Sequence, residues 1–414
     1  MVEPSGAPAG RHRQRAVTLS VLVAALGYFV DIYDLLLFSI VRVPSLRSLG
    51  VQGDDLLRAG ERLLNMQMTG MLLGGLLWGL LGDRRGRISV LFGSIFMYSA
   101  ANLANAWVES VEAYAWLRFI AGIGLAGELG AGITLVSEIM PKETRGYGTT
   151  IVAATGILGA VVAALVGDAF DWRVSYIVGG VMGFALLALR IGVYESGMFE
   201  SVRQTGSSRG NLLHLFNTWE RARKYVSVIL IGVPIWYVIG ILITFSPEIG
   251  TALGMTDAPT AGKAVMYAYM GLAVGDLGSG FLSQWIGSRK RVILLFQGLT
   301  AVFIATYFLV APFTLGAFYA LCIALGFGVG YWAVFVTVAS EQFGTNIRAT
   351  ATTTVPNVVR GSVVLLTSSV AWLRPQVGVV NSAMIVGVVA LTIGVVSLWG
   401  VEETFGKDLD YVEE

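Results

Sequence analysis

The chain has 414 residues, of which 55% are hydrophobic and only 13% are charged, and its formal net charge is +1. An average soluble protein carries about 25% charged residues, so this composition excludes a soluble protein, and the low net charge excludes a nucleic-acid binder. One cysteine and two histidines exclude a disulfide framework and a His/Cys metal cluster. The composition indicates an integral membrane protein.

Twelve apolar runs follow one another along the chain, each close to the ~20 residues of a membrane-spanning helix. They cover residues 17–41, 63–82, 88–107, 113–139, 147–168, 173–194, 225–247, 264–286, 291–310, 314–340, 349–371 and 380–401. The runs are too long for barrel strands of about 10 residues. A basic arm precedes the first run, as in a signal peptide, but the length of that run and its two aspartates favour an uncleaved helix. The predicted fold class is all-α integral membrane with twelve transmembrane helices.

Lysine and arginine concentrate in the connections on one side of the membrane, the side that also carries the basic arm before span 1. Connections on the other side are poorer in these residues. Because cytoplasmic loops carry the excess of basic residues, we expect both termini to be cytoplasmic and the protein to lie in the cytoplasmic (inner) membrane.

The sequence contains an internal repeat that relates its two halves. Glu138–Arg145 and Glu341–Arg348 both have the pattern Glu-x6-Arg, and Gly79–Arg87 has a degraded copy at Gly280–Arg289. A two-fold repeat in a helical membrane protein indicates a secondary transporter with its site between the halves. The longest polar connection gives the predicted domains, which are a six-helix bundle at 1–195, a cytoplasmic linker at 196–223 and a second bundle at 224–414.

Several motifs resemble those of the major facilitator superfamily. Gly79–Arg87 is similar to its loop 2–3 signature, and Arg118–Gly124 is similar to its fourth-helix signature. Trp172-Arg173, Tyr194–Ser196 and Glu403–Leu409 resemble the sugar-porter-type and metabolite–proton symporter branches. The resemblance implies two pseudo-symmetric six-helix bundles that work by alternating access. Span 7 lacks the paired glutamines of sugar porters, which argues against a hexose, and span 5 lacks the Gly-Pro element of drug antiporters, which argues for uptake.

The repeated motifs predict a cytoplasmic gate whose contacts close that side in one state and break in the other. The candidate gate residues are Gly79, Asp83, Arg84, Gly86, Arg87, Glu138, Arg145, Glu341 and Arg348. The alternative is a static cluster of loop salt bridges that only sets the topology.

Six ionisable residues inside the spans have no counterpart in the other half, namely Asp31, Asp34, Arg118, Glu128, Asp276 and Arg360. Each costs ~2.5–3.5 kcal/mol at a helix centre on insertion scales, so each is a candidate for function. The repeated residues serve the scaffold and gates. The unrepeated ones are therefore expected to carry the specific chemistry.

Asp34 on span 1 and Arg118 on span 4 lie at similar depths, because the two spans run in opposite directions. Sugar-porter-like symporters use such a pair for proton coupling, so the resemblance implies that Asp34 carries the proton and that Arg118 controls its affinity. The alternative is a fixed structural ion pair. Glu128 resembles the fourth-helix glutamate of metabolite–proton symporters and is predicted to be a second proton site, or else a partner of a polar group on span 1 or 2.

The residues predicted to bind substrate are Asp31, Asp276, Asn357, Arg360, Tyr28, Trp236 and Tyr331. Arg360 lies near the middle of span 11, where its guanidinium can grip a carboxylate with two hydrogen bonds. The alternatives are that Asp276 and Arg360 neutralise each other without touching substrate, and that the aromatic residues face lipid.

We therefore expect a transporter that moves a small polar metabolite, with a carboxylate, by proton-coupled alternating access. An enzyme, a resident metal and a cofactor are not expected, and the proton gradient would supply the energy. The expected partners are the substrate, protons and the bilayer, without nucleic acid, and the protein is expected to be monomeric. The alternatives are a carrier of a cationic or zwitterionic solute or a metal ion, and a transporter-fold sensor that does not transport.

Overall fold

The computed structural model describes residues 8–85, 87–128, 145–195 and 215–407, and all of the regular structure in these ranges is helical. The helices are α1 (Pro8–Ser48), α2 (Asp54–Arg85), α3 (Arg87–Asn105), α4 (Val111–Leu125), α5 (Arg145–Ala169), α6 (Trp172–Glu195), α7 (Trp219–Ile243), α8 (Ala261–Ile286), α9 (Arg289–Leu309), α10 (Leu315–Glu341), α11 (345–377) and α12 (379–397). A short helix, Ser246–Ala252, lies between α7 and α8. Each predicted span therefore contains a helix.

Length and hydropathy alone mark six stretches of the described chain as able to cross a membrane. They are Val21–Ser48, Trp172–Ile191, Trp219–Ile243, Arg289–Leu309, Leu315–Glu341 and Thr350–Gly400. The last stretch holds both α11 and α12, because the helix Thr345–Ser397 is interrupted only at Gly378, where φ is +81°. The sequence predicted a connecting loop at 372–379, and this was wrong. The chain stays helical up to Gly378, and α12 begins directly after it. The φ of Gly378 is positive, which glycine adopts without strain.

Two spans predicted as continuous differ in detail from the prediction. The run 113–139 is helical from Val111 to Leu125, and residues 129–144 lie outside the described residues. The run 314–340 is broken, because its first segment ends at Gly328 and its second begins at Trp332. Broken helices at membrane depth are typical of transporter binding sites.

Glycines bring corresponding helix pairs of the two halves into backbone contact. A Cβ on Gly122 of α4 would lie 2.1 Å from the carbonyl oxygen of Gln67 on α2. In the other half, a Cβ on Gly326 of α10 would lie 1.8 Å from the carbonyl oxygen of Ala268 on α8. Small residues at a helix crossing let two membrane helices approach this closely. The same device at matching places agrees with the sequence repeat.

The two halves meet along specific helix pairs. Helix α2 packs against α11, α5 packs against α8, and α1 also contacts α8. Helix α11 meets residues of α1, α7 and α10 through the side chain of Arg360. The functional site is built from those residues.

Candidate functional site

Arg360 of α11 is buried at the boundary between the two halves. Its Nη1 atom lies 3.9 Å from the Oδ2 atom of Asp31 on α1, and both side chains are almost completely buried. The alternative internal pair between Asp276 and Arg360 is not formed, since Asp276 has a different partner, described below. The hypothesis that these two residues pair was wrong, because it rested only on their similar depth in the membrane.

Two tryptophan rings flank the Arg360 guanidinium. The guanidinium carbon lies 5.7 Å from the ring centroid of Trp236 on α7 and 6.0 Å from that of Trp332 on α10. A cation within about 6 Å of an aromatic face is attracted by the ring. Tyr28 of α1 and Tyr269 of α8 also lie within electrostatic range of Arg360. Aromatic side chains from both halves therefore lie near the arginine.

Several polar atoms at this centre have no hydrogen-bond partner within the protein. Both carboxylate oxygens of Asp31 are buried without a partner, as are Nε and Nη1 of Arg360 and the indole Nε1 of Trp236. A buried polar group without a hydrogen bond costs about 1–3 kcal/mol, and a charged one costs more. Such an arrangement is typical of a site that binds a polar ligand or a proton.

Asp34 and Arg118 face each other without forming a salt bridge, since no nitrogen of Arg118 lies within 4.0 Å of an Asp34 oxygen. Arg118 donates a hydrogen bond to the side-chain oxygen of Asn102 on α3 and lies 4.8 Å from the ring centroid of Tyr176. Both Asp34 oxygens are buried and accept no hydrogen bond, although the Asn102 side chain stands beside them. The fixed ion pair of the alternative interpretation is not formed in this conformation, and the proton role of the pair stays a prediction.

Glu128 pairs with an arginine that the sequence analysis did not select. Arg190 of α6 binds it with both guanidinium nitrogens, with an Nη1–Oε2 distance of 3.1 Å, and both side chains are buried. A Cβ on Gly27 of α1 would lie 2.2 Å from Arg190 and 2.5 Å from Glu128. Arg190 lies inside the predicted span 173–194. A charged residue within an apolar run was the signal by which the sequence could have identified it. The predicted partner on span 1 or 2 was wrong, because the partner lies on span 6.

Asp276 of α8 contacts the break in α10. Its Oδ1 atom accepts a hydrogen bond from the backbone N–H of Ala333, at 3.1 Å. Ala333 lies in the first turn of the second α10 segment, whose N–H groups have no partner within the helix. The carboxylate therefore caps this segment.

Two other predicted substrate residues make contacts within the protein. The side-chain nitrogen of Asn357 donates to the carbonyl oxygen of Ala126, directly after α4, at 3.0 Å, and this bond joins the two halves. Tyr331 is fully buried, and its hydroxyl donates to the carbonyl oxygen of Ile231 on α7, at 3.1 Å. Both residues hold helices together in this conformation.

Most of the predicted cytoplasmic gate falls on residues whose placement the structure does not describe. Gly86 and Glu138 lie outside the described residues, and the side chains at positions 79, 83, 84, 87 and 145 are likewise not described. In the second half, Glu341 lies 3.5 Å from Arg289 and accepts a hydrogen bond from Thr404 at 2.6 Å. Arg348 donates to the carbonyl oxygen of Phe343 at 3.1 Å. The predicted gate role of these residues remains a prediction.

The opposite end of the bundle carries two ion pairs between the halves that the sequence analysis missed. Arg42 of α1 binds Glu248 of the short helix with two N–O distances of 2.7 Å. Arg374 of α11 binds Glu61 of α2 with distances of 2.9 and 3.1 Å. We call these four residues the inter-half clasp. The one signal in the sequence was the position of Arg42 at the end of an apolar run. Its partner could not be predicted, because Glu248 is 206 residues away in the chain.

A shallow pocket lies beside the inter-half clasp and is lined by Glu61, Glu248 and Arg374 among others. It lies at the end of the bundle, away from Arg360. Among the described residues, no group of three or more His, Cys, Asp or Glu side chains is arranged to hold a metal ion.

Comparison with known proteins identifies the family. The profile of the Major Facilitator Superfamily matches residues 24–366. The chain belongs to the major facilitator superfamily. It is 26% identical over 412 residues to a protein of Cupriavidus pinatubonensis named "Probable 4-methylmuconolactone transporter", covering 94% of this chain and 91% of that protein.

Two further similarities agree with this assignment. The chain is 29% identical over 303 residues to the 3-(3-hydroxy-phenyl)propionate transporter of Escherichia coli, covering 71% of this chain and 72% of that protein. The crystal structure of a D-xylose–proton symporter matches with a TM-score of 0.70 at 17% sequence identity, covering 95% of this chain and 100% of the other. The protein is thus a multi-pass membrane transporter of small metabolites with the major facilitator fold, and not an enzyme.

Proposed function

We propose that this protein imports a small aromatic carboxylate together with a proton. The observation that carries the proposal is the buried Arg360, whose Nε and Nη1 atoms have no hydrogen-bond partner and whose guanidinium is flanked by Trp236 and Trp332. A guanidinium recognises a carboxylate with two parallel hydrogen bonds. The tryptophan rings offer stacking surfaces for an aromatic ring.

The opposite charges of Asp31 and Arg360 support an anionic substrate that is cotransported with a proton. Asp31 lies 3.9 Å from Arg360, beyond hydrogen-bond distance, so the guanidinium can bind a substrate carboxylate while Asp31 remains nearby. The names of the relatives support the same class, since 3-(3-hydroxy-phenyl)propionate is an aromatic carboxylate.

Asp34 is the proposed proton carrier. It is completely buried, and it faces the positive charge of Arg118 without forming an ion pair. Movement of Arg118 toward or away from Asp34 would change the proton affinity of the carboxylate in opposite directions. No bound cofactor is required, because the proton gradient supplies the energy.

In the proposed orientation both termini are cytoplasmic, and the protein acts as a monomer in the inner membrane. The inter-half clasp then lies on the outer side. The ion pairs Arg42–Glu248 and Glu61–Arg374 would close that side while the predicted cytoplasmic gate opens, which is the reciprocal arrangement that alternating access needs.

The test is transport by purified protein in liposomes under an imposed pH gradient, acidic outside. The probes are radiolabelled 3-(3-hydroxyphenyl)propionate, tyramine, D-xylose and a divalent metal ion. We expect only the carboxylate to accumulate, and only while the gradient lasts. Accumulation of the amine or the metal ion instead would overturn the substrate class, and absence of any movement of a ligand that binds would favour the sensor.

Variants separate the two proposed roles. Asp34→Asn should abolish gradient-driven accumulation but leave exchange of substrate across the membrane, whereas Asp257→Asn, an exposed loop aspartate, should change neither. Arg360→Met should weaken carboxylate binding about tenfold or more, because charge-assisted hydrogen bonds are lost. Arg58→Met, at an exposed arginine, is its control. Accumulation that persists in Asp34→Asn would exclude Asp34 as the proton carrier.

A further inference from the structure

Helix α10 is interrupted where α8 crosses it. A Cβ on Gly330 would lie 2.5 Å from the Cα of Gly275 and 2.7 Å from the backbone nitrogen of Asp276. A Cβ on Gly275 would lie 2.4 Å from the carbonyl oxygen of Phe327. The two backbones therefore touch at the break, and this contact brings Asp276 to the start of the second α10 segment.

The second α10 segment has no cap of its own. Tyr331 occupies the position before its first residue, and its side chain makes no capping hydrogen bond. The Tyr331 hydroxyl instead donates to α7, at the carbonyl oxygen of Ile231. Asp276 supplies the missing acceptor from another helix, through the 3.1 Å hydrogen bond from the N–H of Ala333.

The capped segment begins with Trp332, one of the two rings beside Arg360. The hydrogen bond from Ala333 to Asp276 fixes the backbone of the residue next to Trp332. The rotation of this first turn decides where the indole lies relative to the guanidinium, 6.0 Å away. Asp276 is thus linked to Trp332, which would contact the substrate's ring, through the backbone of Ala333.

We propose that Asp276 is a positioning residue for substrate selectivity, which caps the second segment of α10 and thereby holds Trp332 beside Arg360. It neither binds the substrate nor carries a proton. The role needs a hydrogen-bond acceptor at Oδ1 and does not need a negative charge. This inference rests on the proposed function, because it concerns how the site favours a ring-bearing carboxylate over an aliphatic one.

The test compares 3-phenylpropionate with hexanoate, two monocarboxylates that differ in the aromatic ring, by transport kinetics in liposomes. Asp276→Asn keeps an acceptor oxygen, and asparagine caps helices as well as aspartate does. We expect this variant to retain the wild-type ratio of KM values, the pH profile and gradient-driven accumulation. Asp276→Ala should raise the KM for 3-phenylpropionate about fivefold, as loss of one helix cap predicts, and should leave the KM for hexanoate nearly unchanged.

Two further variants separate positioning from general destabilisation. Trp332→Leu should lose the ring preference to the same extent, and the double variant Asp276→Ala/Trp332→Leu should lose no more than either single variant, because both act through the same ring. Thr314→Ala is the matched control. Thr314 caps the first segment of the same helix by accepting from the N–H of Ala317, so this variant removes an α10 cap away from the break. It should leave the ring preference intact.

The outcomes distinguish the inference from the proposed function. A wild-type protein that transports neither 3-phenylpropionate nor 3-(3-hydroxyphenyl)propionate overturns the proposed function and this inference with it. A wild-type ring preference that survives in Asp276→Ala overturns the inference alone. Loss of accumulation or a shifted pH profile in Asp276→Asn also overturns it, because the charge would then be used. This last comparison decides the question even where Asp276→Ala fails to fold.

Discussion

Arg42 and Glu248 form a bidentate ion pair between the two halves of the transporter, with both N–O distances at 2.7 Å. The Arg42 side chain is completely buried, and 16% of the Glu248 side chain is exposed. The guanidinium also lies 4.6 Å from the ring centroid of Phe245. Because one partner comes from α1 and the other from the segment after α7, the pair must separate when the halves part at this end.

Removing the acidic partner should open this end of the bundle. Glu248→Gln leaves the Arg42 charge buried and unpaired, and this costs about 3–5 kcal/mol. Separation of the two halves would expose Arg42 to water and so remove that cost. Spin labels at Arg58 and Asp257, both exposed and on opposite halves, in a Cys322→Ser background, should show a larger population of long distances. Glu112→Gln removes an exposed ion pair within one half and serves as control. An unchanged distance distribution in Glu248→Gln would show that the pair does not hold this end closed.

The glycine contact between α8 and α10 should be intolerant of a methyl group. Gly326→Ala places a Cβ 1.8 Å from a backbone oxygen, which cannot move without shifting α8. Overpacking of this kind costs about 1–3 kcal/mol or more, so the melting temperature in detergent should fall. Gly298→Ala on α9 meets no atom within 4 Å and replaces a helical glycine in open space. Its melting temperature should stay the same or rise, and equal destabilisation by both variants would contradict the packing argument.

The buried pair of Glu128 and Arg190 allows the predicted second proton site to be tested. Arg190→Met leaves Glu128 buried without a partner and should lower stability strongly, by about 3–5 kcal/mol. The double variant Glu128→Gln/Arg190→Met should recover much of that loss. If Glu128 carries a proton, this folded double variant should lack gradient-driven accumulation. Accumulation at the wild-type level in this variant would assign the pair a structural role only.

The segment after the last helix should show a defined pH dependence. Hydrogen bonds from Lys224, and then from Lys407, lower the pKa of Glu402 from 4.5 to about 2. A carboxylate whose pKa is lower in the folded state stabilises that state above its unfolded pKa, and the contribution is lost as the pH falls from about 4.5 toward 2. The difference in melting temperature between wild type and Glu402→Gln should therefore be constant near neutral pH and shrink below about pH 4.5. A difference that grows on acidification would contradict this sign.

Several features of the site follow from sequence patterns because they depend on one helix at a time. Burial of Asp31, Asp34, Arg118 and Arg360 was expected from charges inside apolar runs, and all four are buried. The depth of each residue along its helix was also accessible, since each residue advances 1.5 Å. Depth is one coordinate, however, and it left open whether Arg360 pairs with Asp276.

The partners depend on how each helix is rotated and on which helices are neighbours, and glycine contacts and side-chain packing set both. Arg360 meets Asp31 rather than Asp276, because Asp276 is held at the break in α10. Glu128 meets Arg190 across 62 residues of chain. The sequence by itself determined a membrane protein of twelve helices in two related halves, because hydropathy and charge are local properties. Only the tertiary structure decided which buried charges meet and which remain without a partner, because that choice depends on packing between helices distant in the chain.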